Sequence, residues 1–230
     1  MSRRWKSEAE LWAYLAWRFR VGGCEKEALW GCRDGELVLV DAAGQYSHYP
    51  SDITRTWPVS GIFTSPQRDL YQAVLNVQKY AITLAVPGNT ISGIDNLVNE
   101  AFVPELAQLG ARFTIITTLK PHSISHHIGL SVHDVPSFSG PLRADHCITV
   151  EPGIYIPHGD LRWPEEFWGM GIRIEDVVCV QERGEPSPLV LSPEAVKEVV
   201  DVEALGRKAK EREETRKIKG VEMVEEEDDE

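Results

Sequence analysis

Residues 37–59 read LVLVDAAGQYSHYPSDITRTWPV, where two aspartates, Asp41 and Asp52, lie in apolar, strand-like sequence. Two further acids have the same setting: Glu151 in CITVEPGIYIP and Glu175 in GIRIEDVVCV. An unpaired carboxylate in such a stretch costs several kcal/mol, roughly, unless a cation or hydrogen bonds neutralise it. A single strand-end acid often only caps a turn or pairs with an arginine, whereas a set of four predicts a shared site.

These acids, taken together with His126, indicate a centre for two divalent cations. Two cations roughly 3.5–4 Å apart need carboxylates that bridge them and further ligands on each flank, and such a pair activates a water molecule. Oxygen ligands with a single imidazole favour Mn²⁺, with Co²⁺, Fe²⁺ or Zn²⁺ as alternatives. Cysteine ligation is not expected, because Cys24, Cys32, Cys147 and Cys179 show no C-x-x-C spacing.

Four segments carry a family resemblance: LVLVDAAGQYSHYPSDITRTWPVSGIFTSPQRDLY, PHSISHHIGLSVHDVP, ITVEPGIYIP and GMGIRIEDVV. In this order they resemble the catalytic domain of the aminopeptidase P and prolidase family, the pita-bread metallopeptidases. Two further stretches, RWPEEFWGMGIRIED and LSPEAVKEVVDVEAL, are most similar to its fungal mitochondrial intermediate-cleaving branch. The resemblance covers Gly35 to about Leu205 and implies an α+β, pita-bread fold, in which helices lie outside a curved antiparallel sheet.

The resemblance also implies a role for each candidate metal ligand. Asp41 would bind one ion, Asp52 and Glu175 would bridge both ions, and His126 with Glu151 would complete the second position. Glu151 would in addition accept the proton of the attacking water.

The same family resemblance implies that three more residues lie near the substrate. His122 and His133 would face it as catalytic and binding groups, and Arg173 would bind there or hold Asp41 or a neighbouring carboxylate in place. His122 and His126 are expected to flank a serine-rich loop, and His133 is expected at the end of a strand. His127 matches no role in the family and is expected to face away from the site, since adjacent side chains diverge in extended backbone.

Periodicity outside these segments predicts three helices. The first follows the capping box of Ser7 and Glu10, the second starts at Ser65-Pro66 and the third follows Ser92. They are expected to end at Gly22-Gly23, before Pro87-Gly88 and by Gly110. The residues expected to face inward recur at helical spacing: Leu11, Leu15 and Phe19; Leu70, Val74, Val77 and Ala81; Leu97, Ala101 and Phe102.

The resemblance implies that residues 1–206 form a partial catalytic domain, and the composition predicts that residues 207–230 form a charged tail that passes from a frayed helix into disorder. Glu222 and the terminal EEEDDE supply seven of the 36 acids behind the net charge of −12, and without these seven the net charge would be −5. The rest of the chain has no basic patch to bind nucleic acid. The sequence contains no run of eighteen apolar residues, so no membrane span is predicted.

The resemblance implies a metal-dependent aminopeptidase that acts on peptide or protein N-termini, of the Xaa-Pro or the mitochondrial intermediate-cleaving type. A homodimer is a further expectation. The family relatives point to the mitochondrion, whereas the residues themselves indicate only an intracellular, soluble protein.

Two departures from the family pattern bear on activity. Only 40 residues precede Asp41, where relatives carry another domain. Between Trp30 and Gly35 the chain also lacks the family's internal strand with its substrate-facing histidine, since the first histidine is His48. This loss predicts weak activity even with both metals bound. Two alternatives to an active peptidase therefore stay open: a catalytically impaired isoform, and a pseudo-peptidase that serves as a binding module.

Overall fold

The computed structural model describes residues 35–112, 120–182, 184, 188–211 and 215. The predicted first helix, the segment between Trp30 and Gly35, and most of the predicted acidic tail lie outside the described residues. Within these residues, no helix combines the length and apolar composition that crossing a membrane requires.

The stretch that carries the two aspartates folds back on itself as antiparallel strands. β1 (Leu37–Ala42) pairs with β4 (Ile53–Pro58) in a register that sets Asp41 opposite Thr54. Between them, β2 (Gln45–Tyr46) and β3 (Tyr49–Pro50) form a small hairpin whose turn residues, Ser47 and His48, both have positive φ angles. Two consecutive positive φ values define the type I′ turn that matches the twist of paired strands. The chain returns so that Asp52, two residues before Thr54, lies on the same face as Asp41.

The first helix of the described chain, α1, spans Ser65–Thr83. The Thr64 hydroxyl caps it by accepting from the Gln67 amide, and the Gln67 side-chain oxygen accepts from the Thr64 amide, which completes a capping box. The predicted start at Ser65-Pro66 is confirmed. The predicted inward face is confirmed as well, because all four of its residues are buried: Leu70, Val74, Val77 and Ala81.

The next helix, α2, spans Ile91–Gln108 and starts earlier than predicted. Its cap is Thr90, whose hydroxyl accepts a hydrogen bond from the Gly93 amide at 3.1 Å, so Ser92 lies inside the first turn. The prediction that Leu97 faces inward is wrong, since this residue is 39% exposed. Leu97 lies one position away from the buried stripe. That stripe recurs every four residues and consists of Ile94, Val98, Phe102 and Leu106.

Two long strand segments, each interrupted once, carry the remaining acids. The first comprises β5 (Cys147–Val150) and β6 (Gly153–Tyr155), and the second comprises β7 (Gly171–Arg173) and β8 (Asp176–Cys179). β5 pairs with β8 and β6 pairs with β7, antiparallel in both cases and in one continuous register. Continued across the interruption, that register sets Glu151 opposite Glu175.

Residues 124–128 run along the other edge of β5. The amides of Ile128, Thr149 and Glu151 bond to the carbonyls of Cys147, His126 and Ile124, respectively, at 2.8–3.1 Å. This ladder fixes the backbone of the histidine segment relative to the strand that leads into Glu151. β9 (Leu189–Val190) pairs with the opposite edge of β8.

One apolar core joins the helices to these strands. It includes buried side chains from both helices and from β5, β6, β7 and β8: Leu70, Val74, Phe102, Ile148, Ile154, Ile172 and Val178 are examples. Residues 199–211 are helical and cross the predicted boundary at residue 206. At that point a Cβ atom on Gly206 would lie 2.1 Å from the Gly61 carbonyl oxygen, so the helix packs on this loop only because residue 206 is glycine.

Candidate metal centre

The five predicted metal ligands come together although they lie on separate elements. Ligand atoms of Asp52, His126 and Glu175 all lie within 4.8 Å of one another. The Nε2 atom of His126 is 3.3 Å from Asp52 Oδ2 and 3.5 Å from Glu151 Oε1. Asp41 joins the group through a carboxyl–carboxyl contact with Asp52.

Glu175 is the most deeply buried of these acids, with 1% of its surface exposed. Thr54 holds it twice: its hydroxyl donates to Glu175 Oε2 at 2.6 Å, and its carbonyl accepts from the Glu175 amide at 3.0 Å. Burial, followed by the charges of Glu151 and Asp52, raises the pKa of Glu175 well above its usual range. The Glu175 carboxylate is thus held in one direction. Among the described residues, no cationic side chain balances its charge fully.

Glu151 lies beside three groups that can share a proton or a charge. Its Oε2 atom is 3.7 Å from His122 Nδ1 and 4.0 Å from Arg173 Nε, and Thr149 donates to Oε1 at 3.3 Å. Burial raises the pKa of Glu151 to about 7, although His126 and Arg173 oppose the rise. A carboxylate that titrates near neutral pH can accept a proton and release it again.

Arg173 holds Asp41, as predicted. Its Nη2 atom donates to Asp41 Oδ2, while Nε donates to Thr54 Oγ1 at 3.0 Å. The remaining Nη1 atom donates to the Tyr155 hydroxyl at 2.7 Å. Burial raises the pKa of Asp41, Arg173 opposes the rise and Asp52 adds to it. These contacts make Arg173 a support for the acidic cluster, and its predicted contact with substrate stays a prediction.

Tyr155 is a site residue that the sequence analysis missed. Its hydroxyl lies 2.9 Å from His122 Nε2, and it therefore links this histidine to Arg173. His122 Nδ1 lies 2.8 Å from the Ser123 carbonyl, so both ring nitrogens have partners within the protein. Burial lowers the pKa of His122 despite the Ser123 contact. A signal was available, because Glu151 and Tyr155 are four residues apart in extended sequence and share a face at the strand period of two.

The other histidines divide between the site and its surroundings. His133 packs edge-on against His126, with ring centroids 4.3 Å apart. The strand predicted to end at His133 is wrong, since residues 131–133 form bends, but the ring still reaches the site. His127, expected to face away from the site, is buried and contacts the rings of Phe138 and His146, both at 5.2 Å. His122 and His126 flank an irregular loop, as expected.

A cavity of about 340 Å³ opens beside His126 and His133. Its other walls are mainly apolar, with Val135, Pro136 and Phe138 from the loop that follows His133. The candidate centre is therefore reached from a recess that can hold an organic group of side-chain size.

The donor set fits divalent cations. Asp52, Glu175 and His126 bring two carboxylates and one imidazole within 4.8 Å of one another, with the Glu151 carboxylate 3.5 Å from His126 and Asp41 beside Asp52, and such a donor set suits hard or borderline ions. Burial and mutual repulsion raise the pKa of Asp41, Glu151 and Glu175, so bound cations would remove the cost of keeping these groups ionised. Burial opposes protonation of His126, yet its contacts with Asp52, the His127 carbonyl and Glu151 raise its pKa overall.

Metal-stripped protein is expected to lose stability as the pH rises from about 4.5 to about 7. The folded-state pKa of Glu151 lies above its unfolded value of 4.5, so in this window the folded chain retains a proton that the unfolded chain has released. Glu175 and His126 act in the same direction, whereas burial lowers the pKa of His122 and His127, which oppose the decline below pH 6.5. The Glu151 contribution is at most about 3 kcal/mol. Thermal unfolding of chelator-treated protein across this window measures the effect.

Two controls accompany this measurement. A Glu151→Gln variant should show a shallower decline, because its amide does not titrate. Added Mn²⁺ should stabilise the native chain increasingly as the pH rises, because metal ligands must be deprotonated. A melting temperature that rises with pH in the stripped protein would contradict the account.

Comparison with known proteins gives the context of this centre. The model of metallopeptidase family M24 matches residues 8–182. The chain is 45% identical over 182 residues to Xaa-Pro aminopeptidase 3 of Rattus norvegicus, covering 75% of this chain and 35% of the relative. It is 42% identical over 235 aligned positions to intermediate cleaving peptidase 55 of Schizosaccharomyces pombe, covering 89% of this chain and 47% of the relative. The chain thus spans about a third to a half of the length of these curated relatives.

Solved structures agree on the fold. Icp55 from Saccharomyces cerevisiae superposes with a TM-score of 0.80 and 38% identity, covering 88% of this chain and 57% of that chain. A variant of Escherichia coli aminopeptidase P superposes with a TM-score of 0.81 and 30% identity, covering 91% of this chain and 54% of that chain. The predicted α+β architecture is confirmed. The chain belongs to metallopeptidase family M24 and has the pita-bread fold.

Proposed function

We propose that this chain is a metal-dependent aminopeptidase that hydrolyses the N-terminal bond of peptides or processed proteins. The observation that carries the proposal is the convergence of Asp41, Asp52, His126, Glu151 and Glu175 around one point. The names of the relatives, Xaa-Pro aminopeptidase 3 and intermediate cleaving peptidase 55, support this substrate class.

The proposed cofactor is a pair of divalent ions, with Mn²⁺ as the first candidate and Co²⁺, Fe²⁺ or Zn²⁺ as alternatives. Asp52 and Glu175 would bridge the ions, Asp41 would bind one, and His126 with Glu151 would bind the other. When bound, such ions polarise a substrate carbonyl and lower the pKa of a water molecule. The protein's own contribution is to hold these carboxylates ionised and directed toward one point.

Glu151 is the proposed proton acceptor. It would take a proton from the attacking water and later pass one to the departing amine. Thr149 donates to one of its oxygens at 3.3 Å, and the positive charge of Arg173 lies 4.0 Å from the other. His126 lies at 3.5 Å and moderates the charge of Glu151 as the proton moves.

His133 is the proposed donor to the substrate carbonyl, since its ring lies against His126 and lines the recess. A donor directed at the developing oxyanion favours the transition state over the ground state. His122 is the second proposed substrate contact. It would have to exchange its Tyr155 contact for the substrate, because both of its ring nitrogens have protein partners.

The proposal is tested with the purified chain, loaded with Mn²⁺ and assayed on two peptides that differ in their second residue, proline or alanine. Release of the N-terminal residue that stops on chelation and resumes on adding Mn²⁺ supports the proposal. Faster cleavage before proline identifies the Xaa-Pro type, and faster cleavage before alanine identifies the intermediate-cleaving type. A chain that binds Mn²⁺ and cleaves neither peptide favours the pseudo-peptidase.

His133→Ala is expected to lower the turnover number by about a hundredfold while leaving the bound metal unchanged, because this ring acts on the substrate. His126→Ala is expected to lower the metal content as well, because it removes a ligand. Elemental analysis and peptide assays on the same samples separate the two effects. His158→Ala is the matched control, since His158 is exposed and remote from the acids. Equal metal loss in both variants would make His133 a ligand or a structural support.

The impaired isoform remains the second candidate, on the observation that no histidine precedes His48 in the chain. It predicts normal metal binding with slow turnover. A mitochondrial location and a homodimer also remain proposals, which cell fractionation and light scattering of the purified chain would test.

A further inference from the structure

A buried ionic cluster lies directly behind Glu175, on the side away from the other acids. Its centre is Asp176, whose side chain is 1% exposed and has two cationic partners, Arg55 and Lys197. Arg55 Nη2 donates to Asp176 Oδ1 at 2.7 Å, and Lys197 donates to Oδ2. Ser192 and Gln78 donate to the same carboxylate at 2.7 and 2.9 Å. Every lone pair of this buried carboxylate is therefore directed to a donor.

Arg55 connects this cluster to the backbone of the candidate ligand. Its Nη1 atom donates to the Glu175 carbonyl and, at 2.9 Å, to the Thr54 carbonyl. Thr54 in turn holds the Glu175 amide and carboxylate. The planar guanidinium of Arg55 thus fixes the peptide groups on both sides of Glu175, directly and through Thr54. The position of these peptide groups sets the direction of the Glu175 carboxylate.

The Arg55 guanidinium also binds the backbone of the segment that precedes the C-terminal helix. Arg55 Nη2 donates to the Ala195 carbonyl at 2.6 Å, and Arg55 Nε lies 3.1 Å from both the Ala195 and Val196 carbonyls. Ser192 and Lys197 contact Asp176 from this segment as well. Residues 192–197 lie beyond the family match, which ends at residue 182. They therefore extend the support of the acidic cluster beyond the part of the chain that the family model describes.

We propose that Arg55, Asp176 and residues 192–197 form a clamp that positions Glu175 for metal binding. The inference rests on the proposed metal centre and deepens it. Arg55 and Asp176 are positioning residues, because they act through Glu175 and touch no other member of the cluster of ligands described above. Partners that orient a ligand in this way change metal affinity by about 10- to 100-fold when they are removed.

The test uses Co²⁺ as the probe, since its visible spectrum reports ligand geometry, together with calorimetric titration of the metal-free chain. Arg55→Lys keeps the charge but loses the planar guanidinium, and Lys197→Met keeps the length of the side chain but loses the charge. Both variants are expected to bind Co²⁺ at least about tenfold more weakly with an altered spectrum. Titrations are run at a temperature at which circular dichroism shows each variant to be folded.

Arg68→Gln is the matched control. It breaks another ion pair between α1 and the C-terminal helix, with Glu203 at 2.7 Å, without contacting Glu175. It should lower thermal stability slightly and leave Co²⁺ binding unchanged. If Arg55→Lys fails to fold, Co²⁺ binding is compared between the native chain and the Lys197→Met and Ser192→Ala variants. Each of these removes one bond to Asp176 and leaves Arg55 intact.

Clamp variants that melt earlier but bind Co²⁺ with native affinity and spectrum would overturn the proposal and leave a structural ion pair. A native chain that binds no Co²⁺ would overturn it too. If the native chain binds Co²⁺, the clamp variants bind it weakly and no peptide is cleaved, the clamp stands and the peptidase proposal fails.

Discussion

Glu151→Gln is expected to reduce the turnover number by about a thousandfold or more, which corresponds to a loss of about 4 kcal/mol in transition-state stabilisation. The amide occupies the same space but cannot accept the proton of the attacking water. Michaelis constants should change less, because the substitution leaves the recess beside His133 intact. Steady-state assays on an Xaa-Pro peptide, with metal content measured on the same sample, give both quantities.

Two comparisons make this result interpretable. Glu166→Gln changes an exposed glutamate away from the centre and should leave turnover unchanged. Metal titration of Glu151→Gln separates the loss of a ligand from the loss of a proton acceptor, since saturating Mn²⁺ restores occupancy but not proton transfer. Near-native turnover at saturating metal would assign the proton transfer to another group.

Asp52→Asn is expected to lower the bound metal and abolish peptide cleavage together. Asp52 is 6% exposed, and its Oδ2 atom lies 3.3 Å from His126 Nε2. It also lies beside Asp41, so it is close to two other candidate ligands. The asparagine keeps the shape but removes the charge that a bridging ligand supplies. Elemental analysis after gel filtration measures the metal, and the peptide assay measures the activity.

Asp69→Asn is the control for this change, because Asp69 is exposed on α1. It should retain both metal and activity. A chain that carries Asp52→Asn and keeps its full metal content would remove Asp52 from the ligand set and with it the two-ion arrangement.

The clustering of these acids could be predicted from the sequence because their physical signal is local. Asp41, Asp52, Glu151 and Glu175 each break an apolar run, and a buried acid in such a run needs a partner wherever the run lies in the fold. The helix stripe from Leu70 to Ala81 was predicted for a similar reason, since its spacing of three and four residues is visible without knowledge of the packing partner.

The errors arose where tertiary contacts decide between local alternatives. Thr90 and Ser92 are both good helix caps, and the structure uses the first, whose hydroxyl reaches the Gly93 amide. Leu97 is as apolar as its neighbours, but α2 is packed along the line of Ile94 and Val98. The strand expected at His133 did not form, although the ring of His133 packs against that of His126.

The support of the centre could not be predicted from the sequence alone. The opposition of Glu151 and Glu175 depends on a register between strands whose paired residues lie 16 to 32 positions apart along the chain. The link between Asp176 and Lys197 requires the segment before the C-terminal helix to return to β8. Such contacts depend on the path of the chain, for which no local pattern of apolar and polar residues gives a signal.

The central claim is that these five residues hold two metal ions between Asp52 and Glu175. Anomalous diffraction at the manganese edge from crystals of the Mn²⁺-loaded chain tests it most directly. The account predicts two peaks roughly 3.5–4 Å apart, each in contact with both of these acids. A single peak, or two peaks that do not share Asp52 and Glu175, would contradict it.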